Sequence, residues 1–221
     1  MNVAYYKAGR LACRFIKIQC IRELVLHRER TDREGGFLLA CTHLSHLEPF
    51  VAGMLVQRPV HWMARIEFYR RWWAAIALRL GGAVQVDRYG FSLPAVRRAI
   101  QLASAGKVVG IFPEGGVAQG TRSVLRGGPI KQGVCTIAIR ARVPVVPVVM
   151  LGTDRLNRVG PWLPARRGQV WVAFGKDIAP PDRALGNRAA RSEMSVRLGA
   201  EFQRLGRELM ETARLADSDV P

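Results

Sequence analysis

Short apolar runs of strand length alternate along this chain with stretches of helical spacing. That alternation predicts an α/β fold: a single domain with a mixed, mostly parallel sheet flanked by helices. The expected strands are Phe37–Cys41, Val60–Met63, Ala83–Val86, Lys107–Phe112, Val143–Met150 and Gln169–Phe174. The expected helices begin near Ser45, with Pro49 in the first turn, then span Phe68–Leu80, Ser92–Ala103, Gly133–Arg140 and Arg188–Ala213. Gly81-Gly82 ends the second of these. Residues 1–34 read as an N-terminal amphipathic helix, 35–215 as the domain and 216–221 as a flexible tail. On a helical wheel Lys7, Arg10, Arg14 and Lys17 share one sector, while Val3, Leu11, Phe15, Ile16, Ile18, Ile21, Leu24 and Val25 cover much of the rest. The pattern suits two readings equally: a membrane-associating helix lying on anionic lipid, or a helix packed on the domain with a solvated basic stripe.

Composition narrows this little, but charge matters. At 221 residues, 49% hydrophobic and 23% charged, the chain can bury a sizeable core. Its 34 Lys+Arg against 17 Asp+Glu give a formal net charge of +17. Such a surface attracts nucleic acid, anionic headgroups or phosphorylated substrates. Cys13, Cys20, Cys41 and Cys135 lack CxxC spacing and a His partner at metal-ligand distance, so reduced thiols are expected and no metal site. Basic residues interrupt Met1–Arg30, which argues against a signal peptide. No stretch reaches the ~18 apolar residues of a transmembrane helix.

Chemistry-bearing residues gather at the carboxyl ends of predicted strands, where open α/β sheets bind ligands. His43 follows Phe37–Cys41, and Glu48 comes five residues later. A carboxylate accepting from one ring nitrogen leaves the other free to take a proton from an alcohol. Alone, such a pair is more often a structural hydrogen bond. His46 reads as a lining or structural residue, and His27 and His61 have no evident partner. Ile111-Phe112-Pro113-Glu114-Gly115-Gly116 ends another strand in a turn, and Thr121-Arg122-Ser123, Arg126-Gly127-Gly128 and Lys131 follow. A glycine-rich, Arg-bearing loop there can cradle a phosphate. Arg65 and Arg88 stand at two further strand ends. Tyr69-Arg70-Arg71-Trp72-Trp73 suits a headgroup zone or base stacking, although burial of one Trp and exposure of the other is the commoner arrangement.

These residues together resemble the lysophosphatidic acid acyltransferase family. Thr42-His43-Leu44-Ser45-His46-Leu47-Glu48 is similar to its N-H-x-S-x-x-D motif, with Glu48 for Asp and Thr42 for Asn. Arg65, Glu67, Gly82, Asp87 and Arg88 fit its second block. Phe112-Pro113-Glu114-Gly115 matches the start of F-P-E-G-T-R-S, but Thr121-Arg122-Ser123 comes five residues late, and Lys131-Gln132-Gly133 follows as basic-x-Gly. Val143-Pro144-Val145-Val146-Pro147-Val148 resembles the fourth motif. The resemblance spans residues 35 to 175. It implies a His43–Glu48 dyad that activates a lysophospholipid hydroxyl, by default that of lysophosphatidate. The thioester of acyl-CoA or acyl carrier protein would be the donor, with no other cofactor, no metal and no acyl-enzyme. It implies substrate contacts at Ser45, Arg65, Arg88, Glu114, Gly115, Gly116, Arg122 and Lys131. An anionic membrane surface is the expected partner, at its cytoplasmic face; no nucleic-acid motif accompanies the charge. The departures at Glu48 and after Gly115 raise two alternatives: another lipid acceptor, or a catalytically weak membrane-binding module.

Overall fold

In the computed structural model, residues 1–87, 93–155, 168–181 and 187–216 are described, with backbone only for 14–20 and 187. The order is α1 (Val3–Cys20), β1 (Ile21–Leu26), β2 (Phe37–Cys41), α2 (Glu48–Leu55), β3 (Val60–Arg65), α3 (Trp72–Leu80) and β4 (Val84–Val86). Then come α4 (Leu93–Ser104), β5 (Val108–Ile111), α5 (Gln132–Ala141), β6 (Val145–Leu151), β7 (Gly168–Phe174) and α6 (Asn187–Ala213). The strands form one sheet in the order β1-β7-β6-β2-β5-β3-β4. Every neighbouring pair is parallel except β6 and β7.

β2 lies mid-sheet, and all five of its residues are fully buried. A strand covered on both faces reads as an unbroken apolar run, which Phe-Leu-Leu-Ala-Cys is. Alternation sends Phe37, Leu39 and Cys41 into a layer with Val51, Ala52 and Leu55 of α2. Leu38 and Ala40 face the opposite layer, with Val134 and Ile137 of α5. Met194, Leu198, Phe202, Leu205 and Leu209 form a fully buried stripe on α6 at helical spacing. Parallel β2, β5 and β3 therefore end on the same side of the sheet, and their following loops meet there.

Three expectations need correction. The helix expected over 1–34 stops at Cys20, and Ile21–Leu26 is instead a strand pairing in parallel with β7, from Ile21↔Gly168 to Leu26↔Ala173. The sheet thus begins inside the segment read as preceding the domain. Ile-Arg-Glu-Leu-Val-Leu fits a helical wheel, but the open edge of β7 offers a ladder of backbone hydrogen bonds that overrides local preference. Second, the Phe68–Leu80 helix splits into a 3₁₀ turn, Ile66–Arg70, and α3. Third, α2 begins at Glu48, because Ser45–Leu47 form a turn in front of it. The Ser92 cap and the tail beyond Ala216 lie outside the described residues.

α1 packs on the domain near its start: the Tyr6 hydroxyl accepts from Val60 N at 3.3 Å. Arg10 turns inward to donate to Gln57 O at 2.6 Å and Met54 O at 3.4 Å. One member of the basic sector is thus engaged by the domain, while the side chains of Arg14 and Lys17 lie outside the described set. Truncating the fully buried α6 anchor, Phe202→Ala, is expected to destabilise the fold by about 3–5 kcal/mol in urea titration.

Candidate active site

His43 sits just past the end of β2, in a loop held by its neighbours on both sides. Thr42 fastens the strand end to β6: its Oγ1 accepts from Met150 N at 2.9 Å and donates to Met150 O at 3.2 Å. The His43 N–H donates to Glu114 Oε2 at 2.8 Å, and the His43 carbonyl accepts from Ala118 N at 2.9 Å. The loop after β5 thus grips both backbone groups of the residue after Thr42.

The His43 side chain is nearly buried, and its Nδ1 lies 3.2 Å from Glu48 Oε2. Glu48 has no solvent exposure. Its other oxygen accepts from Ser45 N at 2.7 Å, Leu44 N at 3.1 Å and Thr153 Oγ1 at 2.5 Å. A buried carboxylate needs such a full set of donors. With Nδ1–H donating to Glu48, Nε2 carries the free lone pair. The imidazole stacks on Phe112 at 4.1 Å between centroids, and Phe112 stacks on Trp62 at 5.4 Å. Trp62 lies flat against β5 because residue 110 is glycine; a Cβ there would sit 2.4 Å from the indole. His46 meets His43 edge-on at 5.9 Å and Phe68 at 5.7 Å.

Two residues expected to contact substrate hold hydrogen bonds within the protein. Glu114 directs one oxygen to His43 N and the other to Ser123 Oγ at 3.2 Å and Val124 N at 3.0 Å. Burial pushes its carboxyl upward, against the pull of those donors and of nearby His43. Ser45 is buried, and its Oγ accepts from Leu47 N at 3.1 Å, closing the turn before α2. Sequence could not tell an inward from an outward side chain here.

The remaining expected residues divide. Arg65 stands at the end of β3, a third exposed, with Nη2 3.3 Å from Glu67 Oε1. Its Nε and the Glu67 Oε2 are buried without hydrogen-bond partners. Gly115, at φ +75°, lies under the Lys131 stem, so these two come together; Gly116 follows, half-buried. Arg122 is exposed in the turn Gly120–Arg122. Arg88 lies outside the described residues. The insertion after Gly115 supplies Ala118, a backbone support of His43. His61 and His27 do have partners: His61 Nδ1 meets Gly82 O at 2.8 Å, and His27 Nε2 meets Glu208 Oε1 at 2.6 Å. Desolvation pulls His61 below its usual range, partly offset by Gly82.

Sequence reasoning missed Thr153, which is 105 residues from its partner Glu48. The available signal was a hydroxyl two residues past the end of the fourth-motif strand, beside β2 in the sheet.

A family model described as Acyltransferase matches residues 23–151. The 1-acyl-sn-glycerol-3-phosphate acyltransferase of Bacillus subtilis (strain 168) is 31% identical over 187 residues, 84% of this chain and 88% of that protein. The chain belongs to the acyltransferase family. A probable 1-acyl-sn-glycerol-3-phosphate acyltransferase of Mycoplasma pneumoniae is 26% identical over 69% of this chain and 58% of its own length. The acyltransferase fold is shared with the crystal structure of the 1-acyl-sn-glycerophosphate acyltransferase PlsC from Thermotoga maritima. The TM-score is 0.66 at 20% identity, over 92% of this chain and 78% of that one. The expected fold class and family are both borne out.

In this acyltransferase Glu114→Ala strips His43 N, Ser123 and Val124 of their acceptor. Expected outcomes are a stability loss of about 1–3 kcal/mol in thermal unfolding and a fall in kcat that exceeds any rise in KM.

Proposed function

We propose that the protein moves a fatty acyl group from acyl-CoA or acyl carrier protein to the free hydroxyl of a lysophospholipid, lysophosphatidate by default. His43 is the general base and Glu48 its orienting partner. The observation that carries this reading is the 3.2 Å contact between His43 Nδ1 and a Glu48 carboxylate with no solvent exposure. Nε2 takes the hydroxyl proton as the oxygen attacks the thioester carbonyl. The tetrahedral intermediate collapses with loss of the thiolate, which recovers the proton from the imidazolium. Between these steps the positive ring faces Glu48, which stabilises it. Such base catalysis contributes roughly 10²–10⁴-fold. The reaction so drawn draws on its two substrates alone.

Arg65, Arg88, Arg122 and Lys131 are the proposed contacts for the acceptor's phosphate. Supporting this, Arg65 Nε is buried with no partner in the protein, and the net charge is +17. A forked guanidinium suits a phosphate. No helix among the described residues is long and apolar enough to cross a membrane. With a net charge of +17, the lipid substrate is proposed to be met at an anionic membrane surface, at its cytoplasmic face, by peripheral association.

The test is acyl transfer by the full chain, read by mass spectrometry, with lysophosphatidate and a panel of other lysolipids offered separately. His43→Ala is expected to lower kcat by about 10²–10⁴-fold, and full activity in that variant overturns the dyad. Glu48→Gln keeps much of the shape but removes the charge facing Nδ1, and a loss of about 10²–10⁴-fold is expected. Preference for a lysolipid without phosphate would replace the default acceptor while leaving the dyad intact.

A further inference from the structure

The segment linking β3 to β4, residues 66–80, leaves six large apolar side chains in solvent. Ile66 is 39% exposed, Phe68 42%, Trp72 75%, Trp73 55%, Ile76 49% and Leu80 36%. Both tryptophans are exposed, contrary to the expectation that one would enter the core. At 100° per residue, Trp72, Ile76, Leu80 and Trp73 occupy an arc of about 100° on α3. A helix packed on a domain ordinarily turns charge outward; here Ala75 is the one buried residue and the outer face is aromatic and aliphatic. Contiguous exposed apolar surface rimmed by polar residues marks an interaction site. The rim is cationic: Arg70, Arg71 and Arg79 are all exposed.

This face is held in place on the body of the protein. The C-terminal end of α3 is closed by Gly81 N to Ala77 O at 2.9 Å and Ala83 N to Leu78 O at 2.9 Å. Asn2 N donates to Leu80 O at 2.9 Å, and the Tyr69 hydroxyl to Ala83 O at 3.4 Å. It is also joined to the reactive centre: Phe68 meets His46, and His46 meets His43, in two successive ring contacts. Exposed Phe50 and Val117 stand on the elements that hold His43, Phe50 two residues after Glu48 and Val117 just before Ala118.

We infer that residues 66–80 are the element with which this protein docks on an anionic lipid bilayer. Trp72 and Trp73 enter the headgroup–acyl boundary, and Arg70, Arg71 and Arg79 lie against lipid phosphates. Two tryptophans beside arginines match the amphipathic composition of that boundary, apolar below and cationic above. The inference rests on the proposed lipid acceptor for its purpose: the docked face places the His46–His43 side of the sheet beside the lipid surface. It does not rest on that reading for its test.

The test is sedimentation of the full chain with vesicles of phosphatidylcholine and phosphatidylglycerol, compared with phosphatidylcholine alone. The wild type is expected to bind the anionic vesicles. Trp72→Ala/Trp73→Ala is expected to lower the bound fraction about tenfold or more, whereas Leu11→Ser on α1 leaves it near wild type. Activity of the double alanine variant on a short-chain, water-soluble lysolipid should stay near wild type, so loss of docking and loss of catalysis are read separately. Vesicles with brominated acyl chains should quench wild-type fluorescence, and Trp72→Phe/Trp73→Phe should reduce that quenching. Unchanged vesicle binding or unchanged quenching in these variants overturns the inference. So does a lipid-free dimer that the alanine variant dissolves, since the face would then join two copies of the chain.

Discussion

A carboxylate removed from water must find donors for every lone pair it turns inward, and Glu48 meets this demand at the carboxyl end of the central strand. Its Oε1 gathers Leu44 N, Ser45 N and Thr153 Oγ1, leaving Oε2 to His43. The backbone from 44 to 45 must therefore turn its amides toward the first residue of α2, and the helix cannot begin earlier. A glutamate at a helix start that folds back on the amide three residues before it acts as the acidic half of a capping box does. The extra methylene relative to Asp gives that reach. The buried acid, the turn and the helix start form one interlocked unit, and the imidazole orientation is one of its outputs.

A second unit fixes the backbone of His43 instead of its ring. Glu114 ties His43 N to Ser123 and Val124, and Ala118 takes the His43 carbonyl. Glu114 thus holds the His43 backbone in place. The insertion after Gly115, which looked like damage to a phosphate loop, lengthens the chain by enough to bring Ala118 to the histidine. Phe112 then covers one face of the ring, itself backed by Trp62 over the bare backbone of Gly110.

The five-residue spacing of His43 and Glu48, the fully apolar β2 and the glycine-rich turn after β5 were legible because each is local. What escaped depended on neighbours distant in sequence. Ile21–Leu26 became a strand only because β7 stands beside it. Thr153 matters because β6 is adjacent to β2, a fact of sheet order that no spacing encodes. Ser45 and Glu114 lie beside His43 and Glu48, but side-chain direction there is decided by which amides lack acceptors. The tryptophan pair was noticed, yet its exposure depends on which face of α3 the sheet covers, and that face carries Ala75.

Sheet order also divides the labour of the site. His43, Thr153 and Glu114 follow β2, β6 and β5, the three adjacent strands at the middle of the sheet, where packing on both sides limits movement. Arg65 follows β3, one place further out, and residues 66–80 lead from there to the edge strand β4. The His43–Glu48 contact thus resides where packing leaves the least freedom. Surfaces facing solvent lie towards the margin, where a side chain can be exposed without opening the core. A substitution along β3 or the segment after it can accordingly leave the Glu48 donor set whole. A change at Glu48 or Thr153 cannot be confined in that way, because every bond it breaks leaves a buried donor or acceptor unpaired.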